Sequence, residues 1–278
     1  MSIWVLTDRP DHEVVGAVIS ELRREHMVVA VDAATSFATD DELRDVDVAL
    51  LKAHSPAAIS LARRLQQLGA EVVNSADPTE QVLDRMRMAE VAQHAGLPFA
   101  STVLAGVLAD LEAGAVPYPL IVKSQISSRH DLVAAVDNEV GLAALTVRWA
   151  DEPVIVQRKI QNDGWDHKVW VAGERTFYGR RRSPIDGAVG QAEERTLEDL
   201  GETAHELSRA VGEAYDLSVF GVDFLFTSEG PIIVDVNAFP GFRGMTGAAD
   251  AIASVAIEAY RSRCARDEQK PGVYRDGR

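Results

Sequence analysis

Two apolar segments near the C-terminal end, FGVDFLF (residues 220–226) and IIVDVNAFPGF (residues 232–242), constrain the fold more than any other feature of this chain. Each alternates with the period of a strand, and Ser228, Glu229 and Gly230 between them supply turn chemistry, so the pair predicts an antiparallel hairpin. A turn placed there sets Asp223 directly opposite Asp235. Asn237 shares the face of Asp235, while Ile232, Val234 and Val236 project to the other side with Val222, Phe224 and Phe226. Like charges facing each other destabilise a sheet, and burying unpaired carboxylates is costly. A cation between them removes the conflict, and hard oxygen donors of this kind suit Mg²⁺ or Mn²⁺, completed by substrate phosphates. The other reading of the same residues is a solvated strand face with two surface aspartates.

Hydrophobic periodicity describes what the hairpin is attached to. Residues 3–6 and 28–31 read as strands flanking a helix over 12–26. A second unit follows, with a strand at 48–51, a helix capped by Ser55 with Pro56 at its first position, and a strand at 71–73. Asp77, Pro78 and Glu80 spell the start of a helix that stops at Gly96. From Ser101 short strands dominate, at 102–104, 119–123, 132–136, 154–158, 168–172 and 176–180, with helices over 107–114, 138–149 and 198–215. A last helix covers 247–266. The expected class is α+β: a parallel α/β N-terminal lobe (1–76), a central lobe (77–157), a C-terminal lobe carrying the hairpin (158–266) and a flexible tail (267–278).

Composition narrows the function classes. A net charge of -15, from 43 acidic and 28 basic residues, argues against a general nucleic-acid binder. A single cysteine, Cys264, rules out a disulfide framework, and no charged-then-apolar leader opens the chain, so a reducing cytoplasm is the expected compartment. No apolar run approaches the roughly 20 residues that cross a bilayer. Of the 28 basic residues only five are lysines: Lys52, Lys123, Lys159, Lys168 and Lys270. Where arginine serves the surface, each lysine becomes a candidate for a specific task.

Lys123 ends the apolar strand PLIVK and is followed by a small polar loop, a placement that suits a nucleotide phosphate; an edge-strand lysine that prevents aggregation has the same pattern. The strand at 154–159 runs through Ile160 into the polar stretch 161–166, where Gln157 and exposed backbone groups could meet a flat heterocycle, or which is a plain link between strands. Arg180, Arg181 and Arg182 form the densest basic cluster, and alternation sends Arg181 to the face opposite its neighbours.

In combination these segments resemble the ATP-grasp superfamily, in which two α+β lobes hold Mg-ATP, and within it the inositol-trisphosphate 5/6-kinase branch. The similarity is carried by LLKAHS at Lys52, VLDRMR at Arg85, VKSQISSRHDLV at Lys123 and His130, the stretch from VIVQRKIQ through GRRRS, and FGVDFLF with VDVNAFPGFRG. The resemblance implies a three-lobed fold with the nucleotide between central and C-terminal lobes. It implies Asp223, Asp235 and Asn237 as metal ligands, and Arg85, Lys123, Gln157, Lys159, Ile160 and Ser183 as ATP contacts. Lys52, His130, Lys168, Arg181, Asn237 and Gly241 would face the acceptor, with Lys168 and Arg181 also offsetting charge in the transition state. The segment WVLTDRPDHEV lacks the lysines with which that branch grips polyphosphorylated inositols, which points to a less charged acceptor.

The first expectation is therefore a kinase that phosphorylates a hydroxyl of a small polyol-like molecule, as a monomer or homodimer, with neither nucleic acid nor membrane as partner. The alternative is a carboxylate-amine ligase acting through an acyl phosphate, since VDVNAFPG also looks like the turn of glutamate-adding ATP-grasp enzymes. Against it, the Arg-x-Asn and double-glycine signature of such ligases is missing between Arg182 and Leu197. A third class, a nucleotide binder without turnover, is opposed by intact Asp223, Asp235 and Asn237.

Overall fold

A computed structural model describes residues 1–36, 38–112, 114–128, 130–183 and 192–269. The chain divides into two compact units, Met1–Ala76 with Gly247–Arg278, and Asp77–Thr246. The first unit opens with β1 (Ser2–Leu6), α1 (Glu13–Leu22), β2 (Met27–Val31), α2 (Asp40–Arg44), β3 (Val48–Leu51), α3 (Pro56–Gln67) and β4 (Glu71–Val73). Its strands are parallel, in the order β2-β1-β3-β4. The whole of β3 is buried, as expected for an unbroken apolar run covered on both faces. The predicted cap of α3 is present: Ser55 Oγ accepts from the Ala58 amide at 3.2 Å, and Pro56 starts the helix. Helix α2, not foreseen, starts at a capping box between Thr39 and Glu42.

The second unit contains α4 (Ala76–Leu83, from Asp77 on), α5 (Arg85–His94), β5 (Thr102–Val107), a 3-10 turn (Leu108–Asp110), β6 (Leu120–Ser124), β7 (Val133–Val136), α6 (Glu139–Trp149) and β8 (Pro153–Arg158). These strands form an antiparallel sheet in the order β5-β8-β6-β7, over a core that includes Leu108, Val122, Leu132, Leu142 and Val156. There follow β9 (Trp165–Ala172), β10 (Arg175–Arg182), β11 (Glu193–Arg195), α7 (Leu197–Leu200), α8 (Glu202–Tyr215), β12 (Val219–Thr227) and β13 (Gly230–Ala238). They build a five-stranded antiparallel sheet, β11-β10-β9-β12-β13. Its apolar face packs Val169, Tyr178, Val222 and Phe224 with Met88 of α5 and Val211 of α8. Tyr215 donates its hydroxyl to the Met88 carbonyl at 2.6 Å, and burial holds that phenol neutral by pushing its pKa up.

Five expectations need correction, one of them the helix expected over 198–215, which is split at Gly201 (φ 83°) into α7 and α8. The closing helix, α9 (Ala248–Gln269), belongs to the N-terminal unit rather than to residues 158–266: it packs on α1 and β4, and Arg263 donates to the Asp47 carboxylate at 2.9 Å. It also takes in residues 267–269 of the expected tail, the rest of which lies outside the described residues. The long helix expected over 77–96 is broken at Asp84, whose carboxylate accepts from the Met86 amide at 2.9 Å and so caps α5. The helix expected over 107–114 is reduced to the 3-10 turn, because β5 runs on to Val107.

Candidate active site

The cross-strand pair expected from the sequence is formed. Asp223 of β12 faces Asp235 of β13, and on its other side faces Lys168 of β9, so three charged residues lie in one row across three strands. Lys168 Nζ is 2.6 Å from Asp223 Oδ1, an ion pair whose angles fall short of a hydrogen bond. Strand alternation brings Asp166 to the same face, where it pairs across β10 with Arg181, whose Nε lies 3.8 Å from the carboxylate. Burial pushes the Asp166 pKa up, offset in part by a hydrogen bond from Ser183 and by Arg181. Arg180 and Arg182 turn to the other face and stack over Trp165, at 4.5 and 3.9 Å from the ring centroid.

The hairpin departs from the expected register beyond the aspartates. Phe224 pairs with Ile233, so Val234 is an extra residue, a β-bulge. The bulge exchanges the faces of the turn-side half: Ile233, not Ile232 and Val234, joins Val236 in the core. Val234 is thereby placed at the cleft, and its carbonyl accepts from Lys123 Nζ at 3.0 Å. Gly221, opposite Asn237, leaves room for the following turn, since a Cβ there would lie 3.2 Å from Pro240 Cγ and 3.6 Å from Lys168 Cε. In that turn Phe239 and Phe242 hold positive φ angles of 39° and 48°, and both side chains are buried, so packing anchors a backbone that aromatic residues rarely adopt. Gly241 sits between them.

The second wall of the cleft comes from the four-stranded sheet. Lys123 projects from β6 and Gln157 from β8, both buried, and Gln157 donates to the Ala100 carbonyl at 3.0 Å. Arg85, at the start of α5, is only 5% exposed. Its Nη1 donates to the Ser124 carbonyl and to Asp131, each at 2.7 Å, and its Nη2 approaches Asp235 at 3.7 Å. Arg85 thus links the loop after β6 to the hairpin. The cleft between the walls measures about 290 Å³. It is lined by Arg85, Lys123, Gln157, Lys159, Ile160, Lys168, Arg181, Ser183, Asp223 and Asp235.

Electrostatics in this cleft are unresolved by protein alone. Burial pushes the Lys123 ammonium pKa down, and the nearby Asp235 carboxylate only partly restores it. Burial likewise pushes the Asp235 pKa up, against the pull of Arg85 and Lys123 and with the repulsion of Asp223. A divalent ion and a polyanion entering together would stabilise both charged forms. The donors fit such an ion: two facing carboxylates, one of them with a buried oxygen lacking a hydrogen bond, and the Asn237 amide on the same strand face. Among the described residues no group of three or more His, Cys, Asp or Glu is placed to hold a metal.

Four expected residues are not among those lining the cleft: Asn237, on β13 opposite Gly221, and three others. His130 is exposed in the turn before β7, and Gly241 lies in the hairpin's exit turn. Lys52 belongs to the N-terminal unit, at the C-terminal end of β3 beside the end of β1, where its amide donates to the Leu6 carbonyl at 3.0 Å. That is the topological switch point of a sheet ordered β2-β1-β3-β4, the usual ligand position of such sheets. Sequence reading missed Asp166, Asn162 and Asp131. Asp166 was available from alternation, being two residues before Lys168; Asp131 was not, because only the fold brings it to Arg85.

A RimK-like ATP-grasp domain matches residues 83–259. The chain belongs to this family. Among curated proteins, a "Probable alpha-L-glutamate ligase" of Enterobacter sp. (strain 638) is 25% identical over 66% of this chain, which spans 64% of that relative's length. An "Inositol-tetrakisphosphate 1-kinase 2" of Glycine max is 27% identical over 49% of this chain and 50% of its own. Among solved structures, a RimK domain ATP-grasp protein of Sphaerobacter thermophilus superposes with a TM-score of 0.71 at 22% identity, over 92% of this chain and 100% of its own. A D-alanine–D-alanine ligase of Bacillus anthracis reaches 0.73 at 16% identity, over 98% and 100%. The α+β ATP-grasp fold is thereby established. Among the described residues no helix is long and apolar enough to cross a membrane.

Proposed function

We propose that the chain is an ATP-dependent carboxylate-amine ligase. A substrate carboxylate oxygen attacks the γ-phosphorus of ATP and ADP leaves; the amine nitrogen then attacks the acyl carbon, loses a proton and expels phosphate, forming an amide. The observation that carries this reading is the cleft in which a facing carboxylate pair, a buried lysine and two further cations meet, in a chain of the RimK-like family. The hydroxyl-phosphorylating reading, placed first on sequence, becomes the second.

The cleft's chemistry favours a carboxylate as the attacking group. A hydroxyl needs a base to take its proton, whereas each carboxylate lining this cleft is engaged: Asp223 by Lys168, Asp166 by Arg181 and Ser183, and Asp235 by Arg85. An incoming carboxylate is already an anion and needs positive charge, which Lys168 and Arg181 carry. In this reading Gln157, Lys159 and Ile160 flank the base, Arg85, Lys123 and Ser183 face the phosphates, and Lys168 and Arg181 offset charge during transfer. His130, Asn237 and Gly241, of the same unit, are kept as acceptor residues. Asp223, Asp235 and Asn237 would hold Mg²⁺ or Mn²⁺. When bound, the ion neutralises the β- and γ-phosphate oxygens and fixes their orientation.

The kinase reading keeps two specific supports, the missing Arg-x-Asn and double-glycine signature between Arg182 and Leu197 and the similarity to the Glycine max kinase. Residues 184–191 of that stretch lie outside the described residues. Hydroxylamine separates the two readings. With Mg-ATP and pooled carboxylic acids, the ligase yields a hydroxamate and free phosphate. A phosphoester in the phosphorus NMR spectrum with no hydroxamate would make the chain a kinase.

A further inference from the structure

The face of β9 turned away from the cleft carries a buried polar group that the proposed chemistry does not use. His167 lies between Asp166 and Lys168, which both line the cleft, but its own ring points into the apolar side and is only 3% exposed. Both ring nitrogens are engaged: Nε2 is 2.8 Å from Asp163 Oδ2, and Nδ1 is 2.7 Å from the Tyr178 hydroxyl. A carboxylate only accepts, so Nε2 carries the proton that it donates, and Tyr178, kept neutral by burial, closes the pair at Nδ1. The ring is also stacked on Phe226 at 4.0 Å, 6° from parallel.

The partner that matters is Asp163. It belongs to segment 159–164, in which Lys159, Ile160 and Asn162 line the cleft. That segment is held at one end by the Lys159 amide donating at 3.0 Å to the carbonyl of Pro119, the residue before β6. At the other end the Asp163 amide donates to the Phe226 carbonyl at 3.1 Å, and the Asp163 side chain reaches His167. A side chain buried in the sheet therefore fixes the end of a polar loop that forms the edge of the cleft.

We propose that His167 is a positioning residue: by holding Asp163 it sets the place of segment 159–164 relative to the strand bearing Asp166 and Lys168, and thereby the affinity for nucleotide. A filler of the apolar layer would need only shape, which phenylalanine supplies. A ring that donates to a loop carboxylate trades core simplicity for a defined loop position, because a hydrogen bond has direction and apolar packing does not.

The inference rests on the nucleotide reading of the cleft, and the test separates the two. Binding of ATP with Mg²⁺ is measured by calorimetry for the wild type, His167→Phe, Asp163→Ala, His167→Gln and Tyr178→Phe, with a denaturant midpoint for each. His167→Phe and Asp163→Ala cut the same bond, one in the core and one at the partly exposed loop, and both should weaken binding roughly tenfold. His167→Gln keeps a donor toward Asp163 and should recover most of that loss. Tyr178→Phe removes only the inner hydrogen bond, so it should lower the midpoint while leaving nucleotide affinity within about twofold. Affinity that follows the midpoint across the set, or His167→Phe binding as well as the wild type, overturns the positioning role. A wild-type protein that binds no ATP overturns the nucleotide reading itself.

Discussion

The two faces of the five-stranded sheet are made by the same strands and differ by one residue in phase. On one, Val169, Val171, Val222, Phe224 and Val236 are buried against α5 and α8. On the other, Asp166, Lys168, Arg181, Asp223 and Asp235 share a cleft. Apolar burial is non-directional and additive over many contacts, so the first face carries stability. The second gathers charges that a sheet built only for stability would keep apart, and they are tolerated because each has an opposite neighbour. His167 is a buried polar residue on the apolar face whose partner belongs to the edge of the other.

The comparison predicts that substitutions on the two faces separate activity from folding. Asp235→Ala should reduce ATP turnover by about 10³-fold or more, measured as ADP release, with the protein still folded by circular dichroism. Turnover at the wild-type rate would remove the cleft face from the chemistry. Phe224→Ala, directly behind the row of charges, should instead cost about 3–5 kcal/mol in urea unfolding. The surviving folded fraction should still bind Mg-ATP, and loss of binding without loss of stability would break the division of labour.

Lys168→Met should lower kcat by about 10²-fold and cost about 3 kcal/mol of stability, because it leaves Asp223, only a quarter exposed and facing Asp235, without its opposite charge. Gly179→Ala should give the smallest effect, about 1–3 kcal/mol. A Cβ there would meet the Glu193 carbonyl oxygen at 2.8 Å and push β11 from the sheet edge. A melting curve that matches the wild type would mean that β11 yields freely.

Most of the site's logic was legible along the chain because strand alternation is local. The pairing of Asp223 with Asp235, the common face of Asp235 and Asn237, and the split of Arg181 from Arg180 and Arg182 all follow from a period of two, and all are observed. The bulge at Val234 was not legible: alternation has no marker for an inserted residue, and its consequence, a carbonyl turned to Lys123, depends on a strand more than a hundred positions away. Arg85 was legible as a candidate cation, but not as one already bound to Asp131 and close to Asp235. The break at Asp84 was hidden because a capping aspartate inside a helical pattern reads as an ordinary polar position.

By itself the sequence determined the phase of the strands as far as the bulge at Val234 and marked candidate residues for an ion or a phosphate, since both depend on side-chain chemistry and spacing within a few positions. Tertiary structure alone decided which of those residues meet. It brought Lys123, Arg85 and Gln157 opposite Asp223 and Lys168, returned α9 to the N-terminal unit, and set His167 against Asp163. The physical reason is one of range: periodicity acts over a turn or a pleat, whereas burial and charge pairing act between whatever surfaces the chain folds together.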